Sequence, residues 1–130
     1  ACTVLVDDHP VASCLMLGFQ AEGVRITTIE GLTQGGGLSG LQQAFLTYGA
    51  VQCGFCTPGL IASVHDLLDR VPNPDEIEIR EALSGNICRC TGYGRIVSAV
   101  QLAARTRTAV IDEEIAALED ELGDTGSDEL

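Results

Sequence analysis

Four cysteines in two short motifs are the residues of this 130-residue sequence that point most directly to chemistry. Cys53 and Cys56 form a C-x2-C motif, and Cys88 and Cys90 form a C-x-C motif. Thiolates at these spacings can occupy adjacent corners of one tetrahedral or dinuclear centre, so the motifs predict a metal site with four ligands. Both zinc and an iron-sulfur cluster suit four thiolates, although the C-x-C half is less typical of zinc. Disulfides are disfavoured, because disulfide frameworks usually occur in shorter chains with fewer core residues.

Apolar residues at helical spacing predict four helices, and the cysteine motifs directly precede two of them. The helices are expected from Leu38 to Gly49, from Thr57 to Pro72, from Asn73 to Gly85 and from Gly94 to Ala109. Thr57 and Asn73 are the expected N-caps, since each is followed by a proline suited to the first helical position. The positive end of the helix dipole is expected to lower the pKa of the nearby thiols. Short connections between the helices predict a compact four-helix bundle. The predicted core-facing residues are Leu38, Leu41, Phe45, Tyr48, Leu60, Ile61, Val64, Leu67, Leu68, Val71, Ile96, Val97, Val100 and Ala104.

The first part of the chain predicts a small β-sheet. Thr3 to Val6 and Pro10 to Ala12 flank a cluster of turn-forming residues that includes His9, which indicates a hairpin. Val24 to Glu30 is rich in β-branched residues and predicts a third strand. The glycine triplet at 35–37 is interpreted as a linker, because no strand and lysine accompany it as in phosphate-binding loops. The predicted class is therefore α+β, with domains at 1–34 and 35–110 and a tail at 111–130.

The acidity of the chain belongs mainly to that tail. The formal net charge is −12, and nine of the acidic residues follow Ile111 with no basic residue among them. Such a segment is expected to be solvated and mobile. Nucleic acid is not an expected partner, because the seven Lys and Arg residues form no basic run. No stretch reaches the roughly 18 to 20 apolar residues of a membrane span, and the cytoplasm is the expected compartment. The chain does not start with Met. If an export signal preceded Ala1, the expected compartment would change.

Two longer strings around the cysteines carry a family resemblance. The strings VQCGFCTPGLI and NICRCTGYGRIVSAV strongly resemble the small iron-sulfur subunit of the molybdenum hydroxylases. This is the family of xanthine dehydrogenase, aldehyde oxidoreductase and aerobic carbon monoxide dehydrogenase, and the resemblance runs from Ala1 to about Ala109. It implies that the four cysteines hold a [2Fe-2S] cluster in a helical domain. It also implies that Gln52 and Cys90 lie near the pterin of a molybdenum cofactor on a large subunit.

The start of the chain resembles the end of a second cluster motif in the same family. That motif is the C-x4-C-x2-C spacing of plant-type ferredoxins with a later fourth cysteine. In ACTVLVDDHPVASC, Cys2 matches the third ligand and Cys14 the fourth, while the first two ligands are absent. The resemblance therefore implies an N-terminally truncated subunit that keeps part of a β-grasp ferredoxin-like domain. A second [2Fe-2S] cluster would form there only if the missing ligands are present.

The family resemblance implies an electron-transfer subunit that does no bond-making chemistry itself. Electrons would leave the molybdopterin on the large subunit, pass through the clusters, and reach FAD on a medium subunit or an external acceptor. The implied assembly is a heterotrimer or a dimer of heterotrimers. Two alternatives stay open: a zinc-stapled helical module that binds another protein, and a free-standing redox carrier.

Overall fold

The computed structural model describes residues 1–33 and 36–123, with side chains described as far as residue 109. The described part contains a small antiparallel sheet followed by four α-helices, which confirms the predicted α+β class. Two short 3-10 segments lie between the second and third strands of the sheet, and a third one lies between the sheet and the helices. The strands are β1 (Thr3–Val6), β2 (His9–Ala12) and β3 (Ile26–Thr27), and the helices are α1 (Gly40–Thr47), α2 (Thr57–Arg70), α3 (Glu76–Leu83) and α4 (Gly94–Gly123).

The sheet has the order β2-β1-β3 and packs against α2 through its central strand. Asp7 and Asp8 form the two-residue hairpin turn, and both have positive φ, of 47° and 71°. Positive φ at both central residues is the geometry that matches the twist of a tight hairpin. His9 belongs to β2 and not to the turn, so its interpretation as a turn residue is wrong. The third strand is shorter than the predicted segment, because the chain enters a 3-10 helix at Ile29.

The four helices bury a core of aliphatic side chains and Phe45. Most of the predicted core-facing residues are buried, which confirms the helical stripes of α2 and α4. Leu38 and Tyr48 are exposed instead, at 52% and 38%. Both lie outside α1, because Ser39 caps that helix at its N-terminus and Tyr48 is its C-cap. The core residues confirmed from the helical pattern are Leu41, Phe45, Leu60, Ile61, Val64, Leu67, Leu68, Ile96, Val97, Val100 and Ala104.

The N-terminus of α3 differs from its predicted position. Asp75 is the N-cap, where the sequence pattern favoured Asn73 with Pro74 as the first helical residue. The Asp75 carboxylate accepts a 2.8 Å hydrogen bond from the Glu78 N–H, and the Glu78 side chain accepts one of 2.8 Å from the Asp75 N–H. This reciprocal capping box gives two backbone N–H groups a hydrogen-bond partner. A start at Asn73 and Pro74 would not provide these two hydrogen bonds.

Helix α4 extends well past its predicted end. An end near Ala109 was expected, but the helix continues to Gly123. No glycine or proline interrupts the sequence between Gly94 and Gly123, and Ala, Leu and Glu, all good helix formers, are frequent there. Residues 111–123 of the predicted acidic tail are therefore helical, and 124–130 lie outside the described residues. Among the described helices, none is long and apolar enough to cross a membrane.

Candidate metal centre

Two loops present the four cysteines at the predicted places. Cys53 and Cys56 lie between α1 and α2, and Cys88 and Cys90 lie between α3 and α4. Each motif precedes a helix, as its sequence indicated. Cys56 itself is the N-cap of α2, so the prediction that Thr57 caps this helix is wrong. The Thr57 hydroxyl is buried and lacks a hydrogen-bond partner, which agrees with its position inside the first turn.

The thiols interact in two pairs, and each pair has one cysteine from the first loop and one from the second. The Cys56 thiol interacts with the Cys88 thiol, and the Cys53 thiol interacts with the Cys90 thiol. The pairs are also in electrostatic contact, because Cys53 acts on Cys56 and Cys88 acts on Cys90. In the described part of the chain, no three or more His, Cys, Asp or Glu side chains converge on a single metal-ion position. Two pairs of thiols fit a [2Fe-2S] cluster, in which the protein supplies two ligands to each iron.

The pKa values of Cys56 and Cys90 are raised and not lowered. Burial raises the pKa of Cys56 to about 11, and the neighbouring Cys88 thiol adds to the effect. The pKa of Cys90 is raised mainly by its interaction with the Cys53 thiol. The expectation that a helix N-terminus lowers the pKa of all four thiols is therefore wrong at these two positions, because desolvation and neighbouring thiols oppose a second negative charge.

Cys88 has the opposite behaviour because Thr91 contacts its sulfur twice. The Thr91 hydroxyl oxygen lies 3.0 Å from Cys88 Sγ, and the Thr91 backbone N–H donates to the same sulfur at 3.4 Å. Burial raises the pKa of Cys88, but these contacts outweigh it and bring the pKa to about 7. Cys88 is thus prepared for the thiolate form that binds metal. Thr91 was not among the predicted site residues, although its place next to the C-x-C motif was a usable signal.

Tyr93 fixes the loop that carries Cys88. Its hydroxyl accepts a 2.7 Å hydrogen bond from the Cys88 N–H and donates one of 2.9 Å to the Asn86 carbonyl. Tyr93 has a φ of +68°, and the preceding Gly92 has a φ of +65°. A left-handed backbone is unfavourable for a bulky residue, and such strain tends to occur at functional sites.

Asn86 joins this loop to α2 and to the hairpin. Its side-chain amide is buried, donates 2.8 Å to the Ser63 hydroxyl and accepts 3.0 Å from the Thr3 hydroxyl. Gly59 leaves the necessary space, because a Cβ atom there would lie 2.2 Å from Asn86 Oδ1. Thr3 directly follows Cys2, so this network links the surroundings of the two candidate cysteine sites.

The structure also brings Cys2 and Cys14 together, with their sulfurs 3.2 Å apart. Both are free cysteines, and Cys14 is exposed. The Ser13 hydroxyl donates a 2.7 Å hydrogen bond to the Cys2 carbonyl and stabilises this turn of the chain. The two thiols could supply half of a four-ligand site.

Gln52 and Cys90 are both exposed at the surface of the four-cysteine site. Gln52 directly precedes Cys53, whose thiol interacts with Cys90, so the two residues lie on the same side of the site. Phe55 and Ile87, next to Cys56 and Cys88 in the sequence, are 74% and 83% exposed. Two large apolar side chains are therefore exposed beside the site.

Comparison with known proteins places this geometry in a family. Residues 28–101 match the family described as [2Fe-2S] binding domain. The chain is 52% identical over 103 residues to the nicotinate dehydrogenase small FeS subunit of Eubacterium barkeri, covering 79% of this chain and 66% of that protein. It is 51% identical over 110 residues to the xanthine dehydrogenase iron-sulfur-binding subunit of Escherichia coli O157:H7, covering 82% of this chain and 69% of that protein.

A solved structure gives the same result. The crystal structure of quinoline 2-oxidoreductase from Pseudomonas putida 86 superposes with a TM-score of 0.77 at 48% identity, and the match covers 80% of this chain and 65% of that one. The chain thus spans just under two thirds of the length of the nicotinate dehydrogenase and quinoline oxidoreductase chains. These matches show that the chain belongs to the [2Fe-2S]-binding domain family of the small iron-sulfur subunits of molybdenum hydroxylases.

Proposed function

We propose that Cys53, Cys56, Cys88 and Cys90 hold one [2Fe-2S] cluster and that the chain serves as an electron-transfer subunit of a molybdenum hydroxylase. The observation that carries this proposal is that residues 28–101, which contain all four cysteines, match the [2Fe-2S] binding domain family. When bound, such a cluster supplies one-electron transfer, and the protein adjusts it through burial, hydrogen bonds to sulfur and charge.

The position of the site supports transfer to a partner. Cys56 is buried against the helical core, whereas Cys90 is exposed. Cys53 is exposed as well. A site with two ligands at the surface allows a redox group on another subunit to come close while the protein interior protects the other side. We assign Gln52 and Cys90 to the surface that faces the pterin of the molybdenum cofactor.

The proposed partners follow from the family. A molybdopterin-binding large subunit would deliver electrons, and an FAD-binding medium subunit or an external acceptor would receive them, in a heterotrimer or a dimer of heterotrimers. The names of two relatives refer to nicotinate and xanthine. Together with the family resemblance, these names make an N-heterocycle or an aldehyde the proposed substrate class of the complete enzyme. The cytoplasm is its proposed compartment.

Cys2 and Cys14 are the proposed remainder of a second [2Fe-2S] site. Their 3.2 Å separation supports a shared centre, and two further ligands would have to come from residues upstream of Ala1. In this proposal residues 1–34 belong to a ferredoxin-like domain, and 35–110 form the helical cluster domain.

Anaerobic reconstitution of the 130-residue chain with iron and sulfide tests the proposal. We expect about two iron and two sulfide per chain, visible absorption, and an EPR signal on reduction. Cys88→Ser should lose the iron, whereas Cys2→Ser, a cysteine substitution outside the site, should keep it. Binding of one zinc with no coloured species, or iron retained by Cys88→Ser, would overturn the assignment.

A further inference from the structure

Thr91 makes two of the hydrogen bonds to the Cys88 sulfur, alongside the Cys90 N–H and the Cys56 thiol, and the direction of the Thr91 bonds can be derived. Thr91 places its hydroxyl 3.0 Å and its backbone N–H 3.4 Å from Cys88 Sγ. The same hydroxyl oxygen accepts a 3.2 Å hydrogen bond from the Tyr93 N–H. A hydroxyl that accepts from an amide still has its own proton to donate, and a metal-bound thiolate can only accept. Thr91 therefore donates to the sulfur.

The backbone of the loop enforces this orientation. Gly92 and Tyr93 both have left-handed φ values, which turn the chain so that the Tyr93 N–H points back to Thr91. The Tyr93 hydroxyl separately holds the Cys88 N–H at 2.7 Å. The unfavourable left-handed backbone at Tyr93 thus accompanies a loop geometry in which two donors of Thr91 point at the Cys88 sulfur.

Resting on the function proposed above, we propose that Thr91 sets the reduction potential of the cluster held by the four cysteines. Reduction adds one negative charge to the cluster and its sulfurs. Hydrogen-bond donors aimed at a sulfur stabilise the more negative state, so they raise the potential. Both the hydroxyl and the backbone N–H of Thr91 stabilise the reduced cluster in this way. A side chain without the hydroxyl would lose the larger part of that stabilisation.

A redox titration of the reconstituted chain, monitored by EPR, tests this role. Thr91→Val keeps the size of the side chain and the backbone N–H but removes the hydroxyl, so we expect a lower midpoint potential. Thr91→Ser keeps a hydroxyl and should remain near the original potential. If Thr91→Val takes up no cluster, Thr91→Ala removes the same hydroxyl and carries the test with the same expected shift.

Resonance Raman spectra separate a direct hydrogen bond from a merely structural effect. Fe–S(Cys) bands that shift on exchange into D₂O should shift less in Thr91→Val than in the original chain. Tyr93→Phe is the matched control, because it loosens the Cys88 loop without removing a donor to the sulfur. A midpoint potential in Thr91→Val equal to that of the original chain would overturn the inference. So would a potential shift in Tyr93→Phe as large as that in Thr91→Val, if the D₂O shift of the Fe–S(Cys) bands in Thr91→Val were the same as in the original chain. A chain that binds no cluster at all would overturn the proposed function as well, whereas a cluster indifferent to Thr91 would overturn this inference alone.

Discussion

The Thr3 hydroxyl donates a 3.0 Å hydrogen bond to the side-chain carbonyl of Asn86, 83 residues further along the chain. The Asn86 amide also donates to Ser63 on α2. One buried side chain therefore connects the hairpin, α2 and the loop that leads to Cys88. Because the polar groups are buried, each depends on the others for its hydrogen bond.

Removing Asn86 should destabilise the fold. Asn86→Ala leaves the Ser63 and Thr3 hydroxyls without their partner, and an unsatisfied buried polar group costs about 1–3 kcal/mol. Thr3→Val removes a single hydrogen bond and should cost about 1 kcal/mol. Urea unfolding of the cluster-free variants measures both effects. Equal stability of Asn86→Ala and the original chain would show that the network contributes nothing.

Gly59 should not tolerate alanine. The added Cβ would lie 2.2 Å from Asn86 Oδ1 and 3.1 Å from Thr3 Oγ1, so the Asn86 side chain would have to move. We expect a loss of about 1–3 kcal/mol in the free energy of unfolding, as for other overpacked positions. Gly40→Ala is the control, because a Cβ there meets no atom within 4 Å.

A double variant shows whether the clash with Asn86 causes that loss. In Gly59→Ala combined with Asn86→Ala, the side chain that blocks the new Cβ is gone. The two losses should therefore sum to more than the loss of the double variant. Strict additivity would place the cause elsewhere.

Asp66 should make the stability depend on acidic pH. This buried carboxylate on α2 accepts hydrogen bonds from Arg70 at 2.9 and 2.7 Å and lies 3.2 Å from His9 Nδ1 on β2. Burial raises the pKa of Asp66, but Arg70 and His9 outweigh it and lower the pKa below its usual value. A lowered pKa stabilises the fold above the usual carboxyl pKa of about 4, and that contribution disappears as the pH falls through the lowered value.

Unfolding measured between neutral and acidic pH checks this. The original chain should lose more stability on acidification than Asp66→Asn, by about 1.4 kcal/mol for each unit by which the pKa is lowered. Asp69→Asn replaces a partly exposed carboxylate one position from Arg70 and serves as the control. Parallel pH profiles for Asp66→Asn and the original chain would refute the prediction.

In the cluster-free chain, Cys88 should be alkylated faster than Cys56. Only thiolates react readily, and the pKa of Cys88 is about 7 while that of Cys56 is about 11. The iodoacetamide reaction of Cys88 should therefore rise as the pH passes through about 7, and Cys56 should stay largely unmodified at pH 8. Peptide mass spectrometry follows each site. Thr91→Val should shift the rise to higher pH, and faster labelling of Cys56 than of Cys88 would contradict the expectation.

The sequence was sufficient where a strong local signal stood next to the functional residues. The cysteine motifs precede α2 and α4 as predicted, because helix starts and apolar stripes are encoded within a few residues. The network around them could not be predicted in the same way. Thr91 and Tyr93 reach Cys88 only because Gly92 and Tyr93 adopt left-handed backbone angles. The place of Thr91 next to the C-x-C motif was a signal for a contact with Cys88, but the residue types do not indicate the left-handed backbone at Tyr93 that produces this contact.

Errors in the predicted elements also have physical causes. The pattern of asparagine and proline before α3 suggested an early start, but the capping box of Asp75 and Glu78 offers two hydrogen bonds and fixes a later one. An end of α4 near Ala109 was predicted, whereas the helix propensity of the following residues continues α4 to Gly123. In both cases the hydrogen bonds or the helix propensity of a few neighbouring residues determine where the helix begins or ends.

The interleaving of the two loops has a mechanical consequence. Because every sulfur pair draws one member from each loop, iron bound there would tie the chain into a ring that encloses α2 and α3. Metal loading and the folding of those helices would then be one linked equilibrium, in which a loaded protein resists unfolding more than an empty one. Oxidative loss of iron would open the ring and leave a weaker protein, so damage to the redox centre would also expose the subunit to degradation.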